Sequence, residues 1–147
     1  MMNRSFFARH KVYAISPQLV DDDTVTTAWI PVHNAQRLVA ILRCGATDIT
    51  VDAKLEQATS SGGAGAKDVT DSDITQLTAS GGDDKTVGID LEVANLDTAN
   101  GFCYVRLSAT AGDGTLGANL AGVVIVDDRH MPVTQPADFV EQIVLAG

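Results

Sequence analysis

Gly62-Gly63-Ala64-Gly65-Ala66-Lys67 holds the residue types of a phosphate cradle: glycines that bare backbone N–H groups, and a lysine to meet the anion. That chemistry also needs Ser or Thr directly after the lysine to reach magnesium, and a following helix whose first amides hold the phosphate. Here Asp68 follows Lys67 and would repel the anion, so the segment reads as a flexible Gly/Ser/Ala loop. Metal chemistry fares no better. His10, His33 and His130 are too scattered for a zinc site, and Asp21-Asp22-Asp23, Asp71 with Asp73, and Asp83-Asp84 lack the ligand spacing of a calcium hand. These carboxylates read as turn formers. The chain has no Gly-x-Ser-x-Gly elbow and no His-Glu-x-x-His, and Glu56 and Glu92, two of its three glutamates, fall on outward strand faces. No catalytic residue, metal or cofactor is expected.

The elements around these residues are strands. In Ile49–Thr59, Ile49, Val51, Ala53 and Leu55 alternate with Thr50, Asp52, Lys54 and Glu56, a period of two that a half-buried antiparallel strand requires. The pattern returns over Val87–Val93 and more loosely over Cys103–Ala109. Further strands are predicted at Lys11–Ile15 (stopped by Ser16-Pro17), Thr24–Val32, Arg37–Cys44 and Gly122–Val126, with a short one around Ile74–Leu77. Pro136 allows one or two helical turns in the tail, where Phe139, Val140, Ile143 and Val144 could alternatively add an edge strand. About eight strands near ten residues apart predict an all-β fold, an antiparallel β-sandwich with the jelly roll among its arrangements. The expected organisation is an extended basic arm over residues 1–11 and one sandwich domain over residues 12–147.

Charge is uneven. Arg4, Arg9 and Lys11 stand in the first 20 residues without an acid, whereas the rest carries seven bases against nineteen acids, a net of −12. An acidic body disfavours nucleic acid, whose affinity comes mainly from Lys and Arg. No run approaches the roughly 20 apolar residues of a spanning helix, so no membrane partner is expected. Arg9, His10 and Lys11 interrupt what would be the apolar core of a leader. Cys44 and Cys103 are read as buried free thiols inside strands, in a chain made in a reducing cytoplasm.

Three segments, taken in order, resemble small virion structural proteins of tailed bacteriophages and gene-transfer particles. They are Val51–Lys67, with its alternating strand and Gly/Ala loop; Asp90–Val105, where Leu96-Asp97 leads through Asn100-Gly101-Phe102; and Gly122–Val133, an apolar strand followed by Arg129 and Pro132. The resemblance implies a virion protein on the head exterior, decorating or cementing the capsid as a homo-oligomer bound to the major capsid protein. It leaves open a head-spike or fibre base and a tail component. A carbohydrate- or receptor-binding sandwich is the alternative outside the virion. For the capsid reading, the N-terminal residues carry the docking: Phe6 and Phe7 as apolar anchors, Arg4, Arg9 and Lys11 as cations facing acidic capsid groups. The Ser60–Lys67 loop is a second candidate contact.

Overall fold

The computed structural model describes residues 5–130 and 132–145. Helix α1 (Phe6–Arg9) is a single turn, capped by Ser5 Oγ accepting the Ala8 N–H. Strands follow at β1 (His10–Val20), β2 (Asp23–Thr26), β3 (Ile30–Pro31), β4 (Arg37–Thr47), β5 (Val51–Ala58), β6 (Lys67–Asp68), β7 (Lys85–Glu92), β8 (Tyr104–Ala111) and β9 (Ala118–Asp127). They form two antiparallel sheets, ordered β1-β9-β4-β7 and β2-β8-β5-β6, with β3 also pairing β8. If β2 and β3 are counted as one broken strand, the pairs nest: first with last (β1·β9), second with second-last (β2/β3·β8), third with third-last (β4·β7), and the innermost two together (β5·β6). Such a hairpin, rolled until β4 meets β9 and β5 meets β8, is a jelly roll.

The alternation read from the sequence decides which side faces inward. Val51, Ala53 and Leu55 of β5 and Val105, Leu107 and Ala109 of β8 are buried against Leu38, Leu42, Leu120 and Val124 of the first sheet. Aromatics contribute little to this core, and aliphatic side chains fill it.

Several strands run differently from the sequence expectation. Ser16-Pro17 does not stop β1; the register shifts between Ile15 and Gln18, and a bulge on this edge strand absorbs the proline, which has no N–H to donate. Thr24–Val32 is broken at residues 27–29, where buried Thr27 carries the pairing itself: its N–H donates to the Leu107 carbonyl and its Oγ1 accepts the Leu107 N–H. Ile74–Leu77 is no strand. Residues 69–77 form an irregular strap bonded to β5 through Val69, Ser72, Ile74 and Leu77, which satisfies β5 backbone groups beyond the reach of β6. The tail makes a turn at Pro136–Phe139, and residues 140–145 are in neither helix nor strand. Finally, residues 5–11 are not an extended arm: they form α1 and the start of an edge strand.

The strand ends place the turns at residues 21–22, 48–50, 78–84 and 112–117 at one end of the sandwich. Asp48 organises that end. Its carboxylate accepts the N–H groups of Thr115, Leu116 and Gly117 at 3.1, 2.8 and 2.9 Å. Those bonds, chiefly from Leu116 and Gly117, hold its pKa below the ordinary carboxylate value. A carboxyl with a depressed folded pKa stabilises the fold fully above its unfolded value of about 3.9, and that contribution fades as pH falls through the folded pKa. Asp48→Asn should therefore be less stable than wild type near pH 7. In urea titrations the gap should narrow as pH falls below the ordinary carboxylate range and through the depressed pKa of Asp48; a gap that persists unchanged in acid would contradict this role.

Candidate docking surface

The opposite end gathers the N-terminal turn, the loops at residues 32–36, 59–66 and 93–103, and the tail after β9. Backbone bonds fasten these segments together. Asp128 N–H donates to the Arg9 carbonyl, Arg129 N–H to that of Asn34, and Val133 N–H to that of Ala8. Gln135 acts as a clasp: its Oε1 accepts the Val12 N–H at 2.9 Å, while its Nε2 donates to the Phe7 and His10 carbonyls.

Of the expected docking residues, Arg4 lies outside the described residues. Phe6 is 48% exposed and stacks on the His10 ring at 4.0 Å. Phe7 is half-buried because Phe139 of the same chain packs on it at 5.1 Å, so it is partly occupied already. Arg9 is exposed, and Lys11 lines a small cleft with His33, Asp127 and Asp128. Arg129, which the sequence reading did not assign to docking, joins them. Among the described residues Arg9, Lys11 and Arg129 make no ion pair. The far end holds Asp21, Asp22, Asp23, Asp48, Asp83, Asp84 and Asp113 in its turns and strand ends, against Lys85. Three cations without an ion pair among the described residues thus sit at one end among carboxylates that include Glu92, Asp97, Asp127 and Asp128, while the turns of the other end hold aspartates with one lysine beside them.

The outer faces of the two sheets also differ. On the second sheet Glu56 pairs with Arg106 (2.9 Å) and Lys54 with Asp68 (2.7 Å). On the first sheet, two cross-strand rows are apolar: Val12–Ile125–Val39 and Ala14–Val123–Ile41. Their neighbours on the same strands, such as Leu38, Ala40, Val124 and Val126, fill the core, but none of the six belongs to the core cluster. At the cationic end this face deepens into an open groove of about 920 Å³ lined by Phe6, His10, Arg37, Val39, Val93 and Ile125. Arg37 is not free there, since it is bound to Asp90 at 2.8 Å, a contact that raises its pKa. No alternation rule flags this face, because a strand apolar on both sides reads simply as a buried strand.

The loop at residues 59–66 is built rather than loose. Ala64 N–H donates to Ser60 Oγ, Gly63 N–H to the Ser60 carbonyl, and Thr59 N–H to the Ala64 carbonyl. Lys67 pairs with Asp97 at 2.6 Å and lies over the Phe102 ring, and Arg106 lies over the half-buried Trp29 ring. Gly63 has φ +83°, and a Cβ there would stand 2.6 Å from Trp29 Nε1. Gly63→Ala should cost about 1–3 kcal/mol through strain at positive φ and displacement of the indole. Because Trp29 is the sole tryptophan, its emission reports that displacement directly; unchanged emission and stability would contradict the packing.

Cys44 and Cys103 are free; Cys44 is buried in β4, while Cys103 is only half-buried and precedes β8 rather than lying within it. Burial, helped by Asp83 and Asp84, pushes the Cys44 thiol above its ordinary pKa, which keeps it protonated and inert. Among the described residues no three His, Cys, Asp or Glu side chains converge to hold a metal ion, and no helix is long and apolar enough to cross a membrane.

No protein-family model and no curated protein matches the chain. Among solved structures it is similar to the SPBc2 prophage-derived protein YomS, at 9% identity over 80% of this chain and 95% of that one, with a TM-score of 0.42. It is similar to the tobacco streak virus coat protein at 10% identity, covering 95% and 100%, with a TM-score of 0.43. The C-terminal CBM6 module of LamC, a laminarinase of the marine Zobellia galactanivorans, gives 12% identity, 78% and 91% coverage, and a TM-score of 0.40. Scores of this size assign no role, and the docking surface rests on its own geometry.

Proposed function

We propose that this protein is a non-enzymatic structural protein of a bacteriophage-like virion, a head decoration protein that binds the outer surface of the capsid with its cationic end. The observation that carries this reading is a cluster: Arg9, Lys11 and Arg129 make no ion pair among the described residues and stand at the same end as exposed Phe6. Unpaired cations around an apolar anchor suit an acidic protein surface, and the acidic far end would keep the outer side of a decorated particle soluble. The order of segments resembling phage virion proteins supplies the capsid as the particular partner. The major capsid protein and further copies of this chain are its partners, nucleic acid and membrane are not, and the head exterior is its location. Purified protein should co-sediment with particles stripped of it, saturably and more weakly as salt rises. Binding to neither capsids nor any virion part would overturn the proposal. Specific retention on a glycan array would replace it with the carbohydrate-binding reading.

A further inference from the structure

The chain carries both halves of a contact it does not make with itself. One half is the apolar outer face of the first sheet with its groove. The other is the tail beyond Phe139, where Val140, Ile143, Val144 and Leu145 are 90%, 72%, 51% and 93% exposed. The spacing of Val140, Ile143 and Val144 is that of one helix face, yet the segment is irregular. A short amphipathic segment gains too little from its own hydrogen bonds to hold a helix without a surface to pack on.

The geometry points to exchange between copies: the tail at residues 140–145 of one copy occupies the groove on the first sheet of a second copy. Three observations select this occupant. The base of the tail is pinned, with Gln135 clasped to β1 and Phe139 packed on Phe7, while the residues beyond it stay largely exposed on their own chain. From Asp138 to Leu145 the tail holds two carboxylates, Asp138 and Glu141, and no base. The groove is mixed, with Glu92 and Asp127 beside Arg37 and Arg129; Arg129 is the cation there that makes no ion pair among the described residues and is left for a tail carboxylate to meet. Six extended residues reach roughly 20 Å, about the width of a four-stranded sheet whose strands lie ~4.8 Å apart. A tail given by one copy and received by another is a heterologous contact, which closes into a ring when the rotation between copies permits. The inference deepens the homo-oligomer part of the proposed function, on a surface that adjoins the cationic end and extends beyond it.

The test is oligomeric state in solution without particles, so failure of this contact and failure of capsid binding register separately. Wild type should run as a discrete oligomer by light scattering at tens of micromolar. A chain ending at Phe139, the tail variant Ile143→Asp, and a groove variant carrying Val39→Asp with Ile125→Asp should each run as monomers with wild-type circular dichroism. The decisive step mixes the chain ending at Phe139 with the groove variant. The first retains a groove and the second a tail, so the mixture should form a heterodimer that neither forms alone. A monomeric wild type, a truncated chain that remains oligomeric, or a mixture that fails to associate would each overturn the inference.

Discussion

Leu107→Ala should destabilise the protein by about 2–5 kcal/mol and lower its melting temperature by roughly 5–15 °C. Leu107 is 1% exposed at the middle of β8, opposite Leu55 in the ladder. It fills the space left by Gly122 of the facing sheet: a Cβ at Gly122 would stand 3.2 Å from Leu107 Cδ2. Truncation would leave a void that neither rigid sheet can collapse into, so the lost transfer energy and the cavity cost add. The control is Ile41→Ala, on a strand of similar apolar content but on the outer row, which should cost less than about 1 kcal/mol in the monomer. Chemical denaturation followed by circular dichroism reads both. Equal costs would mean that Ile41 is wrongly placed on the outer face of the first sheet.

Reversing charge at the cationic end should have the largest functional effect. Arg9→Glu, Lys11→Glu and Arg129→Glu together should weaken capsid binding by about 10–100-fold at low salt, because three contacts of up to about 1 kcal/mol each turn repulsive. The deficit should shrink as ionic strength rises and screening shortens the reach of the charges. The fold should survive, since none of the three makes an ion pair among the described residues. Removing residues 1–10 is a poorer test. It would strip Phe7 from Phe139, and it would remove Ala8 and His10, whose carbonyls accept bonds from Val133 and the Gln135 clasp. Unchanged binding by the charge-reversed protein would remove the cationic end from the docking account.

The sandwich was legible because its inner residues obey a strict period of two: Val51, Ala53 and Leu55 are buried as the alternation at 49–59 requires. Breaks in the ladder were not. Pro17 looks like a stop in any one-dimensional reading, yet a bulge on an edge strand accommodates it, and Thr27 continues the pairing with a hydroxyl that no propensity rule tracks. The strand order was illegible for a related reason: nested pairing of first with last depends on contacts more than a hundred residues apart. The proposed docking end was half legible as a cluster. Arg9, Lys11 and Phe6 declared themselves by clustering in sequence, but Arg129 joins them only through the β1·β9 ladder and the bonds around Asp128. Phe7 appeared free because its partner, Phe139, lies in a tail whose course has no local signature.

The most direct test of the central claim is the copy number of this protein in gradient-purified particles, measured against the major capsid protein. The account predicts an abundance comparable to that of the capsid protein, as a lattice decoration requires. A few copies per particle would contradict the decoration role and point to a spike base or tail component, and complete absence would contradict the virion assignment itself.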